Sequence, residues 1–328
     1  MFRYLLAGAA ALLFYTAVPL STLTGAAAAQ ENYPEKPIRW LLGFRAGGAS
    51  DLLARTVGRE LGSILGQEIV IDNRPGASGI IAAGLTAQSE PDGYTMVLIS
   101  SSYINNIAMG REFDFEPIDD FEPVTNLAYV PNVVVVPPEF EASSMQELIE
   151  LAMERPGELN YASGGPGTGT HIGTELFKLV TGTDIAHVPY SGTPPALLDV
   201  MAGRMEIMFA GLPPALSHIR SGELKALAVT SLDRLDELPD LPTVAETVPD
   251  FEAITSYAVL APKGTPQEIV NKLNSAFHEA LAKPSVRETL INQGFIPSPS
   301  SPDELLSEIE QLVETNAQVV EAAGIEVQ

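Results

Sequence analysis

Ile38-Arg39-Trp40-Leu41-Leu42-Gly43-Phe44-Arg45-Ala46-Gly47-Gly48-Ala49-Ser50-Asp51 carries an apolar, β-rich run through a two-glycine turn straight into a helical pattern. After the turn, Leu53, Val57, Leu61, Ile64 and Leu65 recur at helical spacing, while Arg55, Arg59 and Glu60 fall elsewhere on the wheel. Ser50 or Asp51 is expected to cap that helix and Gly66 to end it. Strand-like runs follow at 68–71 and 94–99. Strands alternating with helices imply an α/β fold, a parallel sheet with helices on its faces.

A second set of strand-like runs lies at 132–136, 159–162, 185–188, 205–209 and 224–230, with helical patterns between most of them. Residues 234–249 are rich in Pro and acid and read as a long surface connection. Residues 253–261 are strand-like again, and the last quarter is helical. Ser144 with Glu147, Thr265 with Glu268 and Ser301 with Glu304 each form a capping-box pattern, the last two with Pro at the first helical position.

The N-terminus sets the compartment. Arg3, an apolar run at 5–20 and a small-residue stretch at 25–29 form the three parts of a secretory signal, so residues 1–29 are expected to be removed and the mature chain to start near Gln30. The apolar run is shorter than the roughly 20 residues that span a bilayer. Zero cysteines exclude disulfides, thiol catalysis and a lipid-bearing cysteine. The expected product is a periplasmic protein without a lipid anchor. A balance of 18 basic against 42 acidic residues makes nucleic acid and anionic membranes poor partners.

Five loops follow strand-like runs, where open α/β sheets bind ligands. Phe44, Arg45, Gly47, Gly48, Ser50 and Asp51 lie in the first, a turn able to present N–H groups and a helix dipole to an anion. Ser100 and Ser101 belong to the second, and Tyr190, Ser191 and Gly192 to the fourth; Ala210 is in the fifth. The third loop, 163–171, contains Ser163, Gly164, Thr168, Thr170 and His171. It has no Lys after Gly169, so it is no P-loop, and no acid ends the next strand, so it is no dinucleotide fingerprint. A ring of backbone donors and hydroxyls suited to a carboxylate remains. No cofactor is expected, and His171, His187, His218 and His278 lack metal-ligand spacing.

With those loops placed, the chain resembles the substrate-binding receptors of tripartite tricarboxylate transporters, the Bug-type solute-binding family. Tyr33-Pro34-Glu35-Lys36-Pro37-Ile38, Phe44-x-x-Gly47-Gly48-x-x-Asp51, Asn73-Arg74-Pro75-Gly76-Ala77-x-Gly79 and Pro91-Asp92-Gly93-Tyr94-Thr95 carry the resemblance in the first part. Leu159-Asn160-Tyr161-Ala162-Ser163, His187-Val188-Pro189-Tyr190-x-Gly192, Ala226-Leu227-Ala228-Val229-Thr230 and Leu241-Pro242-Thr243-Val244-Ala245-Glu246 continue it. The resemblance implies a type II periplasmic-binding-protein fold, two α/β lobes with crossing hinge strands. One lobe would be residues 31–131 plus 252–328, the other 132–251. It also implies a monomer that binds a small organic carboxylate, di- or tricarboxylic or aromatic, and delivers it to integral-membrane transporter subunits. Ligand contacts carried over are Phe44, Gly47, Gly48, Asp51, Ser163, Gly164, Thr168, His171, Tyr190 and Gly192.

Two positions depart from the family pattern. Arg45 stands where Pro or Ala is usual, and is either a direct charged contact to the ligand or a solvent-facing side chain. Ala210 stands where an Asp often follows Phe209, which would remove a repulsive acid or make room for a bulkier ligand. No residue is assigned to catalysis. The alternatives are a sensor that passes the same ligand signal to a signalling partner, or an enzyme on the same fold with His171 as a general base.

Overall fold

The first strand, β1 (Ile38–Leu42), buries Ile38, Trp40, Leu41 and Leu42 completely, the pattern of a strand covered on both faces. This is a computed structural model that describes residues 32–323; the expected signal, residues 1–29, lies outside the described residues. Trp40 packs edge-on against Phe277 with ring centroids 5.3 Å apart, so the single tryptophan is core. Helix α1 (Ala49–Leu65) ends at Gly66, whose φ of 70° is the left-handed conformation that glycine adopts without strain. Its start differs from expectation. Gly48 is the N-cap and no side chain caps the helix. Gly47, at φ 85°, makes the turn, so Ser50 and Asp51 fall inside the first helical turn and are buried.

Strands β2 (Ile69–Asn73) and β3 (Thr95–Ser100) pair in parallel with β1 on either side. Helix α2 (Ile80–Ala87) leads to β3, and α3 (Ser101–Ala108) leaves it. The periodicity does not announce α3, because Ser101, Ser102, Asn105 and Asn106 favour turns and caps over helix interiors. Burial of residues 101–106 stabilises it instead.

The longest strand is β4 (Phe121–Val136), and it serves two half-sheets. Helix α4 (Met145–Glu154), β5 (Asn160–Ser163), α5 (Gly169–Thr181), β6 (Ala186–Pro189), α6 (Thr193–Met201), β7 (Ile207–Gly211), α7 (Leu212–Arg220) and β8 (Lys225–Val229) follow it. The chain then returns through β9 (Ile254–Pro262), α8 (Gln267–Ala282), α9 (Pro284–Asn292), β10 (Ile296–Pro297) and α10 (Pro302–Ala323). Residues 121–131 of β4 pair antiparallel with β9, whereas Asn132 to Val136 pair with β7 and β8. The strand order is β2-β1-β3-β9-β4-β7-β5-β6.

Beyond Asn132, β4 alternates strictly. Val134 and Val136 enter a core with Phe177, Phe209 and Phe251, while Val133 and Val135 enter another with Met208, Val200 and Leu216. A third core, around Val97, Tyr103, Phe121, Leu260 and Leu305, serves the first half-sheet. Of the expected caps, Ser301 holds as a reciprocal box, with the Glu304 N–H donating to Ser301 Oγ (3.3 Å) and the Ser301 N–H to Glu304 Oε2 (2.8 Å). Ser144 Oγ accepts from the Glu147 N–H at 3.2 Å. Thr265 does not cap: its hydroxyl donates to the Pro262 carbonyl at 2.7 Å, and Pro266 is the N-cap of α8.

Candidate functional site: a cleft of helix N-termini

Five strand-to-helix joints meet at a cleft of about 70 Å³. Phe44, Ala49 and Ser50 come from the β1–α1 joint, and Ser100 and Ser102 from the β3–α3 joint. Gly164, Thr168, Gly169 and Thr170 come from β5–α5, Gly192 and Thr193 from β6–α6, and Gly211 and Pro214 from β7–α7. The crossing strands add Val130, Asn132, Thr255 and Tyr257. None of these lining side chains is charged. Helices α1, α3 and α5 present first-turn N–H groups that have no partner within the helix, whereas Pro194–Pro195 and Pro213–Pro214 leave α6 and α7 only the Thr193 and Leu212 N–H there; all five add the positive end of a dipole worth about half an elementary charge. Five such ends directed at one small volume make it a site for an anion held by neutral donors.

The loop 163–171 is organised by its own side chains. The Gly164 N–H donates to Thr170 Oγ1 (2.8 Å), the Gly165 N–H to Ser163 Oγ (3.1 Å) and the Gly167 N–H to His171 Nδ1 (3.2 Å). The expected ring of loop donors is therefore used internally. Thr168 Oγ1 donates to the Gly165 carbonyl at 2.7 Å, so its 2.9 Å contact with Thr170 Oγ1 uses the Thr170 proton. Neither threonine keeps a hydroxyl hydrogen for a ligand. Ser100 differs: its hydroxyl is buried, lines the cleft and has no hydrogen-bond partner among the described residues. Asn132 Oδ1 is likewise unpartnered, while its Nδ2 lies 3.4 Å from the Ala253 carbonyl. A buried polar atom left unpaired costs about 1–3 kcal/mol, so these two atoms are positions where the cleft can hydrogen-bond a ligand.

Phe44, Ser50, Ser100, Gly164, Thr168 and Gly192 thus line the cleft as the sequence indicates. Ten other candidates lie outside the lining. Asp51 is a brace: it accepts from the Gly47 N–H (3.0 Å) and from Arg55 Nε (3.0 Å), and so fixes the turn. Burial pushes its carboxyl pKa up, but the bonds from Arg55, Gly47 and Asn73 outweigh that and hold it below the ordinary value. Arg45, Gly47 and Ser191 are exposed, and Gly48 caps α1. Ser101 Oγ accepts from the Ser256 N–H at 2.8 Å and so ties α3 to β9. Tyr190 donates its hydroxyl to Asp199 Oδ2 at 2.7 Å; burial first, then Asp199, pushes the phenol up to about 12. Ala210 is fully buried in the core with Val133 and Val135, so the missing acid does not itself enlarge the cleft.

Ser163 and His171 support the loop from behind. His171 stacks on His187 at 4.2 Å, His187 stacks on Tyr161 at 4.8 Å, and His187 Nε2 lies 2.6 Å from Ser163 Oγ. Burial lowers the pKa of both imidazoles, that of His187 to about 4 with His171 adding to the effect, so the stack is neutral near pH 7. A neutral His171 whose Nδ1 is already taken by a backbone N–H positions a loop. Among the described residues no group of His, Cys, Asp or Glu could hold a metal.

Sequence reasoning missed the crossing-strand contributors Asn132, Thr255 and Tyr257. The available signal was a polar residue inside a buried apolar run: Asn132 precedes four valines, and Thr255 and Ser256 interrupt the strand-like run at 253–261. Burial pushes the Tyr257 phenol pKa up, and the neighbouring Ser50 hydroxyl, on the first turn of α1, offsets only part of the shift. A larger cavity, about 450 Å³, borders Gly169 but is mostly apolar and carries Glu252 and Glu308, which makes it a poor anion site.

The family model for the tripartite tricarboxylate transporter family receptor matches residues 53–325. Among solved structures, the periplasmic binding protein BugD is 31% identical and superposes with a TM-score of 0.84 over 90% of this chain and 100% of that one. Rpa4515 of R. palustris, solved with adipate, is 36% identical with a TM-score of 0.85, covering 90% and 99% of the two chains. MatC of Rhodopseudomonas palustris, with bound malate, is 30% identical with a TM-score of 0.81, covering 88% and 100%. These likenesses give the fold its class, the α/β periplasmic-binding-protein fold of type II. They also weigh against an enzyme, since the family consists of solute receptors. The chain belongs to the tripartite tricarboxylate transporter receptor family, as a Bug-type solute-binding protein.

Proposed function

We propose that this protein captures a short aliphatic carboxylate in the cleft of helix N-termini and delivers it, outside the cytoplasm, to the membrane subunits of a tripartite transporter. The observation that carries the reading is five helix N-termini around a volume with no charged side chain and an unpartnered Ser100 hydroxyl. Anion binding by neutral amides and hydroxyls suits a carboxylate, and two relatives are solved with carboxylates, adipate and malate. Residues 31–131 with 252–328 form one lobe and 132–251 the other; closure between them brings the donors of both onto the ligand.

One refinement follows from the lining. Asn132 Oδ1, an unpaired acceptor, fits a ligand hydroxyl beside the carboxylate. A thermal-shift panel of mono-, di- and tricarboxylates tests the reading, because a ligand at 100 times its Kd stabilises by about 2.7 kcal/mol. Malate should shift the melting temperature more than succinate, and Asn132→Leu should erase that preference. No shift with any carboxylate would remove the proposal, and equal shifts for malate and succinate would remove the role of Asn132.

A further inference from the structure

The larger cavity is a chamber of different chemistry. It lies between α10, α5 and β9, and its volume of about 450 Å³ is some six times that of the carboxylate cleft and within the range of small-molecule pockets. Ile172 and Leu176 of α5 face Leu312 and Val319 of α10 across it. Among the described residues, no Lys or Arg lines it, whereas Glu252 and Glu308 do. Tyr129 donates its hydroxyl to Glu308 Oε2 at 2.9 Å, and Glu308 Oε1 has no hydrogen-bond partner among the described residues.

We propose that this cavity is a second ligand site, one that takes a hydrophobic amine with its apolar body between α5 and α10 and its ammonium group on Glu308. Three considerations select the amine. An anion would meet two glutamates, no cation and a chain of net charge −24. A hydrocarbon would desolvate Glu308 while leaving Oε1 unpaired, a loss that a charged N–H donor reverses. An amine without an apolar body would leave four aliphatic side chains facing water. Burial raises the Glu308 carboxyl pKa and the Tyr129 bond draws it back, so a cation bound there also keeps the group ionised.

The site borders the first one. Asn316 Nδ2 donates to Asn105 Oδ1 (2.7 Å), and Asn105 Nδ2 donates to the Gly167 carbonyl (3.0 Å) in the loop that shapes the carboxylate cleft. Gly169 lines both cavities. The amine site does not depend on the carboxylate reading, because none of its recognition elements is an anion donor.

The test uses the full chain and three near-isosteric probes, 4-phenylbutylamine, 4-phenylbutanol and 4-phenylbutanoate, followed by calorimetry and ligand-observed NMR. The amine should bind at least tenfold more tightly than the alcohol, and malate should not displace it. Glu308→Gln should weaken the amine about tenfold and leave the alcohol unchanged. Val319→Trp should close the chamber to both, with carboxylate binding retained as proof that the variant is folded. Absence of amine binding, equal binding of amine and alcohol, an unaffected Glu308→Gln variant, or displacement of the amine by malate would each overturn the proposal.

Discussion

Replacing Gly169 by Ala probes the meeting of α5 with the crossing strand. A Cβ on Gly169 would stand 2.4 Å from Thr255 Oγ1 and 3.7 Å from Thr255 Cβ. Only the hydroxyl obstructs it, and relief needs a displacement of about 1 Å. Overpacking of that kind in a buried joint costs about 1–3 kcal/mol, which corresponds to roughly a 5- to 150-fold loss in affinity if it falls on the liganded arrangement. Helix propensity works in the other direction, because Ala exceeds Gly by up to about 1 kcal/mol in helix interiors. A loss therefore reports the clash and not the helix. Thr255→Ala removes the obstructing atom, so the double variant Gly169→Ala/Thr255→Ala should recover most of what Gly169→Ala loses. Isothermal titration with the best carboxylate, together with melting curves, measures the whole cycle. If Gly169→Ala binds as the parent does, or if the two losses simply add, the contact is not where the geometry puts it.

Thr170→Val deprives the Gly164 N–H of its acceptor and should cost about 1–3 kcal/mol in urea unfolding, with weaker ligand binding; unchanged stability would contradict the hydroxyl network. His187 has a depressed pKa, so its neutral form stabilises the fold above the ordinary value of 6.5. That contribution is lost as pH falls from 6.5 toward about 4, because the unfolded chain takes up the proton first. The melting temperature should decline across that window, and less so in His187→Gln; identical slopes would exclude the stack as the cause. Arg45→Ala should change Kd by less than about fivefold, the range of a surface charge worth up to about 1 kcal/mol; a larger loss would restore Arg45 as a direct contact.

Much of this architecture is legible in the sequence because its signals are local. The 3.6 period of Leu53, Val57 and Leu61, and the Gly- or Ser-containing turns after the apolar runs, place the strand-end loops without any tertiary information. Six candidate residues reach the cleft on that basis. The others show the limit of the method, because their roles are set by distant partners. Ser101 is tied to Ser256, 155 residues on, and Tyr190 is drawn off by Asp199, nine residues on. Asp51 has the composition of a cap, yet the backbone of Gly47 and Gly48 makes the turn and leaves the carboxylate to brace it. Helix α3 escapes detection because its stability comes from burial and not from its own residues. The crossing strands are the largest omission, since a buried apolar run carries no mark of which strand it will pair with.

The order in which β4 and β9 appear along the chain bears on how the protein is made. Strand β9 lies between β3 and β4 at the middle of the first half-sheet, yet it starts at Ile254, well over a hundred residues after β4 ends at Val136. At translation rates of about 5–20 residues per second, the interval is on the order of 6–24 s. Throughout it, β3 and β4 expose edges that any other strand could occupy. Pairing across such a span also makes folding slow for topological reasons. The nascent chain therefore has to be shielded until its last quarter emerges, and truncation anywhere before residue 262 should yield an aggregate and not a smaller receptor.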